Sequence, residues 1–195
     1  MQRTLTGGST RKISLSTPSL RHPLGAALSH HFRDASAADD AALAEIYGHY
    51  VSTTVVTFDI VEVTPEIMTA KRAAVESSGL PFIVAVDDDE RVLGYAAMFP
   101  WRPKAAYKHT VEGSIYLSPA ATGQGVGGAL LTELLERGRQ IGIREVIAVI
   151  SDEGTEASVH LHSKLGFESI GHLKRVGFKF DRWVGTYLMQ KSLGE

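Results

Sequence analysis

The 195-residue chain predicts an α/β (α+β) fold, a mixed and mainly antiparallel central sheet with helices on both faces. Three observations carry that prediction. Beyond residue 33, short apolar β-runs alternate with segments of helical period, without an internal repeat or a second domain boundary. The segment Thr110–Leu131, TVEGSIYLSPAATGQGVGGALL, reads as a strand, a turn, a glycine-rich loop and the start of a helix. A hydrophobic fraction of 44% and a charged fraction of 22% are ordinary for one globular domain with a substantial core.

The elements follow in order. Residues 1–33 hold Arg3, Arg11, Lys12, Arg21 and Arg33 and no acid, so all 22 acidic residues lie from Asp34 onward. Residues 1–30 are rich in Ser, Thr and Gly and lack a period. They are expected to form a flexible extension, or to reflect a start placed too early, ahead of a domain spanning 31–195. A transit peptide is the alternative, favoured by composition and opposed by arginines that do not share one helical face. Ser36 caps a helix over Asp39–Val51, whose stripe is Leu43, Ile46, Tyr47 and Tyr50. Thr64-Pro65-Glu66 starts a second helix, with proline at its first position. Phe82–Val86 is a buried strand, Asp87–Glu90 a solvated turn rather than a metal site, and Val92–Met98 the returning strand.

Thr110–Leu117 is the next strand. The helix launched by the glycine loop runs from Val126 to about Gln140 on the stripe Val126, Leu130, Leu131, Leu134 and Leu135. Val146–Ile150 is a strand, and Glu156–Leu165 a helix that Gly166 ends. Phe167–Val176 and Trp183–Gln190 complete the sheet.

The loop Gly123-Gln124-Gly125-Val126-Gly127-Gly128 aims several backbone N–H groups at one place, beside the partial positive charge of a helix N-terminus. It suits a phosphate. It is no P-loop, because no Lys-Ser or Lys-Thr follows its last glycine. It is a poor dinucleotide fingerprint, because Glu145, about 20 residues on, precedes the next strand instead of ending it. A turn that merely lets the helix start tightly is the plain alternative. Glu112, among apolar neighbours on the preceding strand, adds a carboxylate beside that cradle. The combination suggests an enzyme that holds a phosphorylated co-substrate next to a base.

These residues resemble a known family. Thr110-Val111-Glu112, Ser114–Pro119 and the loop 123–127 look like the central signature of the GNAT acyl-CoA N-acyltransferases, and more narrowly of the phosphinothricin (methionine sulfoximine) acetyltransferases. Further matches are Pro100-Trp101-Arg102, Ala106–His109, Val149-Ile150-Ser151, Leu161–Phe167, Val176–Lys179 and Arg182-Trp183. The resemblance covers about Phe32–Lys191.

The resemblance implies a GNAT fold, acetyl-CoA as co-substrate, no metal, and an amine acceptor such as phosphinothricin or methionine sulfoximine. Glu112 would be the general base, with a pKa raised by partial burial. His162 would lie near the acceptor for proton relay or contact, its plain alternative being a packed helix histidine. His160 and His162, two apart on a helix, do not share a metal easily. In the fold the strand bearing Ile115, Tyr116 and Leu117 splays from its neighbour and pairs with the pantetheine arm, and the Leu117 amide polarises the thioester carbonyl. The amides of Gly123, Gln124, Gly125, Val126, Gly127 and Gly128 would hold the pyrophosphate, with Gly125 and Gly127 leaving room for it. Thr155, Ser158 and Lys164 are further cofactor contacts. Arg102, Lys108, Thr110 and Lys179 are candidates for the acceptor's acidic groups, against the common fate of surface charge. Trp101 and Trp183 would wall the pocket, or belong to the core or a dimer contact.

The sequence departs from the family at three places. Thr122 opens the loop where the family has Gln or Arg. Asp152 and the longer stretch to Glu156 replace a CoA-contacting asparagine. Gly185 stands where relatives often carry an aspartate.

Composition bounds the rest. A net charge of -2 gives no sign of nucleic-acid binding, and no apolar run approaches the length of a membrane span. The sequence has no cysteine, so an acetyl group would pass directly to the amine in a ternary complex. The expectation is a cytoplasmic homodimer. Acetylation of another amine or of a protein N-terminus is one alternative; a non-catalytic acyl-CoA sensor is the other.

Overall fold

Hydrophobic alternation decides which face each strand turns to which helix. The computed structural model describes residues 29–194, so residues 1–28 of the expected extension lie outside it. Four helices and seven strands form there: β1 His31–Asp34, α1 Asp40–Thr53, α2 Pro65–Ser77, β2 Phe82–Val86, β3 Val92–Pro100, β4 Thr110–Leu117, α3 Val126–Gln140, β5 Glu145–Ser151, α4 Glu156–Lys164, β6 Glu168–Lys179 and β7 Arg182–Ser192. The sheet order is β1-β2-β3-β4-β5-β7-β6, antiparallel throughout except between β4 and β5. This is the mixed, mainly antiparallel sheet expected.

Along β2, Phe82, Val84 and Val86 face one way and Ile83 and Ala85 the other, as a strand's period of two requires. The first set packs with Leu43, Ile46, Tyr47, Met68 and Val75 of α1 and α2. The second packs with Val126, Leu130, Leu131 and Leu134 of α3, together with Val146, Ala148 and Ile150 of β5. Those four α3 side chains are at most 1% exposed. Each contributes about 1.5–3 kcal/mol of burial free energy. α4 adds Val159 and Leu161 on the α3 side.

Local chemistry sets the helix starts. Ser36 precedes a short 3-10 turn, Ala37–Asp39, that leads into α1. The Asp39 carboxylate reaches back to accept from the Ser36 N–H at 2.8 Å. Thr64 caps α2 through the Ile67 N–H, with Pro65 at the first helical position.

Strand β1 is not announced by the sequence. His31–Asp34 has one large apolar residue, Phe32, and lies at the sheet edge against β2. Strands β3, β5, β6 and β7 also run one to three residues past the hydrophobic runs, because ladder hydrogen bonds continue where side chains no longer mark them. The β6–β7 hairpin turns through Phe180 and Asp181, both at positive φ (52° and 59°). Two positive φ values match the twist of flanking strands, as a two-residue turn needs.

Candidate active site

The site begins where β4 and β5 part. They are in register at Thr110–Glu145, Val111–Val146 and Glu112–Ile147 only. β4 continues to Leu117 against β3, and β5 continues to Ser151 against β7. From Gly113 onward the two strands diverge into a groove of about 430 Å³. Gly113–Leu117 form one wall and Ala148–Ser151 the other. The loop before α3 and the segment Gly154–Ser158 at the start of α4 close its end.

Both helices therefore present N-terminal backbone to the groove, a setting that favours an anion. Gly123 and Gly125 sit at φ 73° and 84°, which a side chain would strain. Gly127 lines the groove and is also required by packing. A Cβ there would meet Leu117 Cδ1 at 3.1 Å, so this glycine serves the close approach of α3 to β4. Gln124 folds back, its Nε2 donating to the Ala120 carbonyl at 2.6 Å, and Val126 is fully buried in the core. Neither residue lines the groove, to which this loop contributes Gly123, Gly125, Gly127 and Gly128. Thr122 donates its hydroxyl to the Pro119 carbonyl at 2.8 Å.

A second cavity, of about 320 Å³, lies on the α1–α2 side of the sheet and contains Glu112. It shares Val56, Ser114, Tyr116, Val149 and Ser151 with the groove, so the two adjoin across β4 and β5. Burial raises the Glu112 carboxyl above its ordinary value, against a weaker pull downward from Arg102. Burial likewise pushes the Tyr116 phenol up to about 12. Tyr116 stacks edge-on to Tyr47 at 4.9 Å and lies among Tyr50 and Tyr95. Tyr50 donates its hydroxyl to the Leu117 carbonyl at 2.8 Å.

The other expected residues are distributed unevenly. His162 is buried and lines the groove, not the Glu112 cavity. Its Nδ1 stands 2.8 Å from the Ser158 carbonyl, which can only accept, so Nδ1 carries the hydrogen and Nε2 the lone pair. Burial lowers its pKa and keeps the ring neutral at neutral pH. Thr155 is buried, with its hydroxyl donated to the Ser151 carbonyl; Ser158 lines the groove beside it. Lys164 is exposed at the end of α4 and lines neither cavity.

Arg102, Lys108, Thr110 and Lys179 do not line the Glu112 cavity. Arg102 lies over the Trp101 ring at 4.5 Å, and Lys108 is exposed. Thr110 begins β4. Lys179 is buried, its ammonium donating to the Thr57 carbonyl at 2.8 Å, and so props the loop that roofs the cavity. That loop, between α1 and α2, supplies Thr57, Phe58 and Asp59, which sequence reasoning missed. An acid within the apolar run Val55–Val63 was the available signal. Tyr47 donates its hydroxyl to Asp59 at 2.7 Å, and Lys71 donates to the same carboxylate at 2.9 Å.

Two of the three departures from the family pattern, Asp152 and Gly185, explain one another. Asp152 turns from the groove to accept from the Gly185 N–H at 2.9 Å and to pair with His172 Nε2 at 2.7 Å. A Cβ on Gly185 would lie 2.4 Å from Asp152 Oδ2, so this aspartate requires that glycine.

Comparison with known proteins agrees with this arrangement. Residues 37–167 match the acetyltransferase (GNAT) family. The chain is 44% identical over 155 residues to a phosphinothricin N-acetyltransferase of Alcaligenes faecalis, covering 80% of this chain and 78% of that protein. It is 37% identical over 169 residues to an L-methionine sulfoximine/L-methionine sulfone acetyltransferase of Pseudomonas aeruginosa, covering 85% and 96%. The crystal structure of a phosphinothricin acetyltransferase from Sinorhizobium meliloti in complex with acetyl-CoA superposes with a TM-score of 0.82 at 41% identity, covering 86% and 90%. A groove floored by unpaired β4 backbone and ended by a glycine loop fits the extended, phosphorylated co-substrate of such enzymes. The chain belongs to the GNAT family of acetyltransferases, which use acetyl-CoA as co-substrate.

Proposed function

We propose that this enzyme moves the acetyl group of acetyl-CoA directly to the amine of a small amino-acid-like acceptor of the phosphinothricin or methionine sulfoximine kind. The observation that carries the reading is the wall that the two cavities share at Ser114 and Tyr116, with Glu112 on one side and the glycine loop on the other. The names of the most similar relatives support the acceptor class.

Glu112 takes a proton from the acceptor ammonium. The freed nitrogen pair bonds to the thioester carbonyl carbon, the C–S bond breaks, and the sulfur leaves as a thiolate that takes up the second proton, given up by the acylated nitrogen, so that a neutral amide and a thiol result. A raised carboxyl pKa makes Glu112 a better base than an ordinary glutamate, and partial burial supplies it. The backbone of the glycine loop holds the pyrophosphate, a reading supported by Gly123, Gly125, Gly127 and Gly128 lining the groove, and the free edge of Ile115–Leu117 pairs with the pantetheine arm. The Leu117 amide faces the developing oxyanion. Neutral His162 offers Nε2 as an acceptor within the groove. No cysteine exists to carry the acetyl group, which favours direct transfer. The active molecule is a homodimer, a reading supported by the apolar side chains exposed on β6 and β7.

Acetyl-CoA turnover, followed by thiol release over a panel of amino acids and neutral amines, tests this reading. Release should depend on the acceptor and be fastest with phosphinothricin or methionine sulfoximine. Binding of acetyl-CoA without thiol release in the presence of any acceptor would favour a non-catalytic acyl-CoA binder. Preference for neutral amines would displace the acceptor class.

A further inference from the structure

The Glu112 cavity must meet an acidic group if its acceptor is an amino acid, and such a group needs a cation. Among the described residues, Lys71 is the only lysine or arginine that lines this cavity. It projects from α2 with its ammonium 4.2 Å from the centre of the Tyr47 ring and 2.9 Å from Asp59 Oδ2. Its side chain is 35% exposed, so the ammonium is neither buried in the core nor lost in bulk water.

Asp59 is the fixed member of the pair. Tyr47 donates to it at 2.7 Å, and its own N–H donates to Thr57 Oγ1 at 3.3 Å. Lys179 in turn holds the Thr57 carbonyl from the far side. Lys71 sits on a flexible four-carbon stem and has three N–H donors, one of which Asp59 uses. The others are available to an entering oxyanion.

We infer that Lys71 is the specificity-determining cation of the acceptor cavity. It binds an oxyanion of the acceptor, and Asp59 poises it there when the cavity is empty. The inference rests on the amino-acid acceptor proposed above. The opposite use of the pair, with Asp59 taking the acceptor ammonium, suits the geometry less well. Asp59 Oδ2 already accepts from Tyr47 and Lys71, and the ammonium has to reach Glu112 to be deprotonated.

The test measures acceptor and acetyl-CoA KM for wild type, Lys71→Met, Lys71→Arg and Asp59→Asn. Methionine sulfoximine, its carboxamide and phosphinothricin serve as acceptors. Lys71→Met should raise the methionine sulfoximine KM about tenfold or more and leave the acetyl-CoA KM unchanged. Lys71→Arg should restore most of the loss, which a merely structural role would not predict. Asp59→Asn should lower the acceptor KM, because it keeps an acceptor for Tyr47 while removing the competing charge. If the Lys71→Met penalty vanishes on the carboxamide, the oxyanion read is the α-carboxylate; if it persists there and grows with phosphinothricin, it is the acidic head. An unchanged acceptor KM in Lys71→Met, or a raised one in Asp59→Asn with a lowered one in Lys71→Met, overturns the inference while leaving the acetyltransferase reading intact. A wild type that prefers neutral amines overturns the acceptor class and this inference together.

Discussion

Glu112 shows how the setting that suits the base proposed for it also costs stability. Burial raises its pKa from the usual 4.5, so the ionised form is less stable in the folded chain than in water. A base with a raised pKa has an acid limb displaced upward, and activity should rise with pH through that higher value. Glu112→Gln keeps shape and polarity and removes the base. kcat/KM should fall by about 10²–10⁴-fold with acetyl-CoA affinity unchanged. The stability sign follows from the same shift. A group whose pKa is raised on folding loses stability as pH rises from 4.5 through its folded value, so the glutamine variant should melt above wild type at pH 7. That difference should close below pH 4.5. Near wild-type turnover at neutral pH would remove Glu112 from the proton-transfer role. Glu112 was legible in the sequence because a lone carboxylate among apolar residues on a strand is conspicuous. Lys71 and Asp59 were not. A lysine on a helix and an acid in a connector look like solvated charge until the chain folds them over one cavity.

Elements were read well where burial writes the pattern and poorly where pairing does. The α3 stripe, the cap of α2 and strand β2 all follow from side-chain chemistry. β1 and the ends of β6 and β7 follow from ladder bonds, which leave little mark on residue type. The clamp between α1 and α2 is also silent in sequence, since its partners are about 30 positions apart. Arg72 donates from Nε and Nη2 to Asp40 at 3.0 and 3.1 Å, and Thr69 adds its hydroxyl at 2.7 Å. Asp40 and Arg72 side chains are 6% and 11% exposed. This clamp sets the spacing of Tyr47, Met68 and Lys71 around the Glu112 cavity. Asp40→Asn leaves a buried guanidinium with only the exposed Glu76 as charged partner, at a cost of about 3 kcal/mol by denaturant unfolding at pH 7. The Arg72 bonds hold the Asp40 carboxyl below 3.8, so the stability it contributes is present above that pH and lost as pH falls through its lower folded value. The variant and wild type should therefore converge in that acid window. A deficit that is the same at pH 7 and in strong acid would assign the effect to packing instead.

At the scale of the molecule, the sheet ends on a problem. β6 is its last strand, twelve residues long, and among the described residues one side of its backbone ladder has no partner strand. Its side chains include Ile170, Leu173, Val176 and Phe178, and β7 adds Trp183, each 46–56% exposed. The Phe178 and Trp183 rings pack at 5.4 Å, and Arg175 lies over Trp183 at 5.3 Å. Edge strands of soluble proteins are normally blunted by charge, proline or a covering element. Large apolar side chains exposed in this way, with the Phe178–Trp183 pair among them, mark an interaction site. In the homodimer proposed above a second copy of the chain would supply the cover, burying the same aromatic pair from both sides of a two-fold axis. Wild type should then sediment as a dimer at micromolar concentration. Phe178→Ser with Trp183→Ser should sediment as a monomer while keeping a cooperative melt, because neither residue belongs to either buried core cluster. Wild type that sediments as a monomer would assign this surface to a different partner, and a double variant that stays dimeric would move the interface elsewhere on the chain.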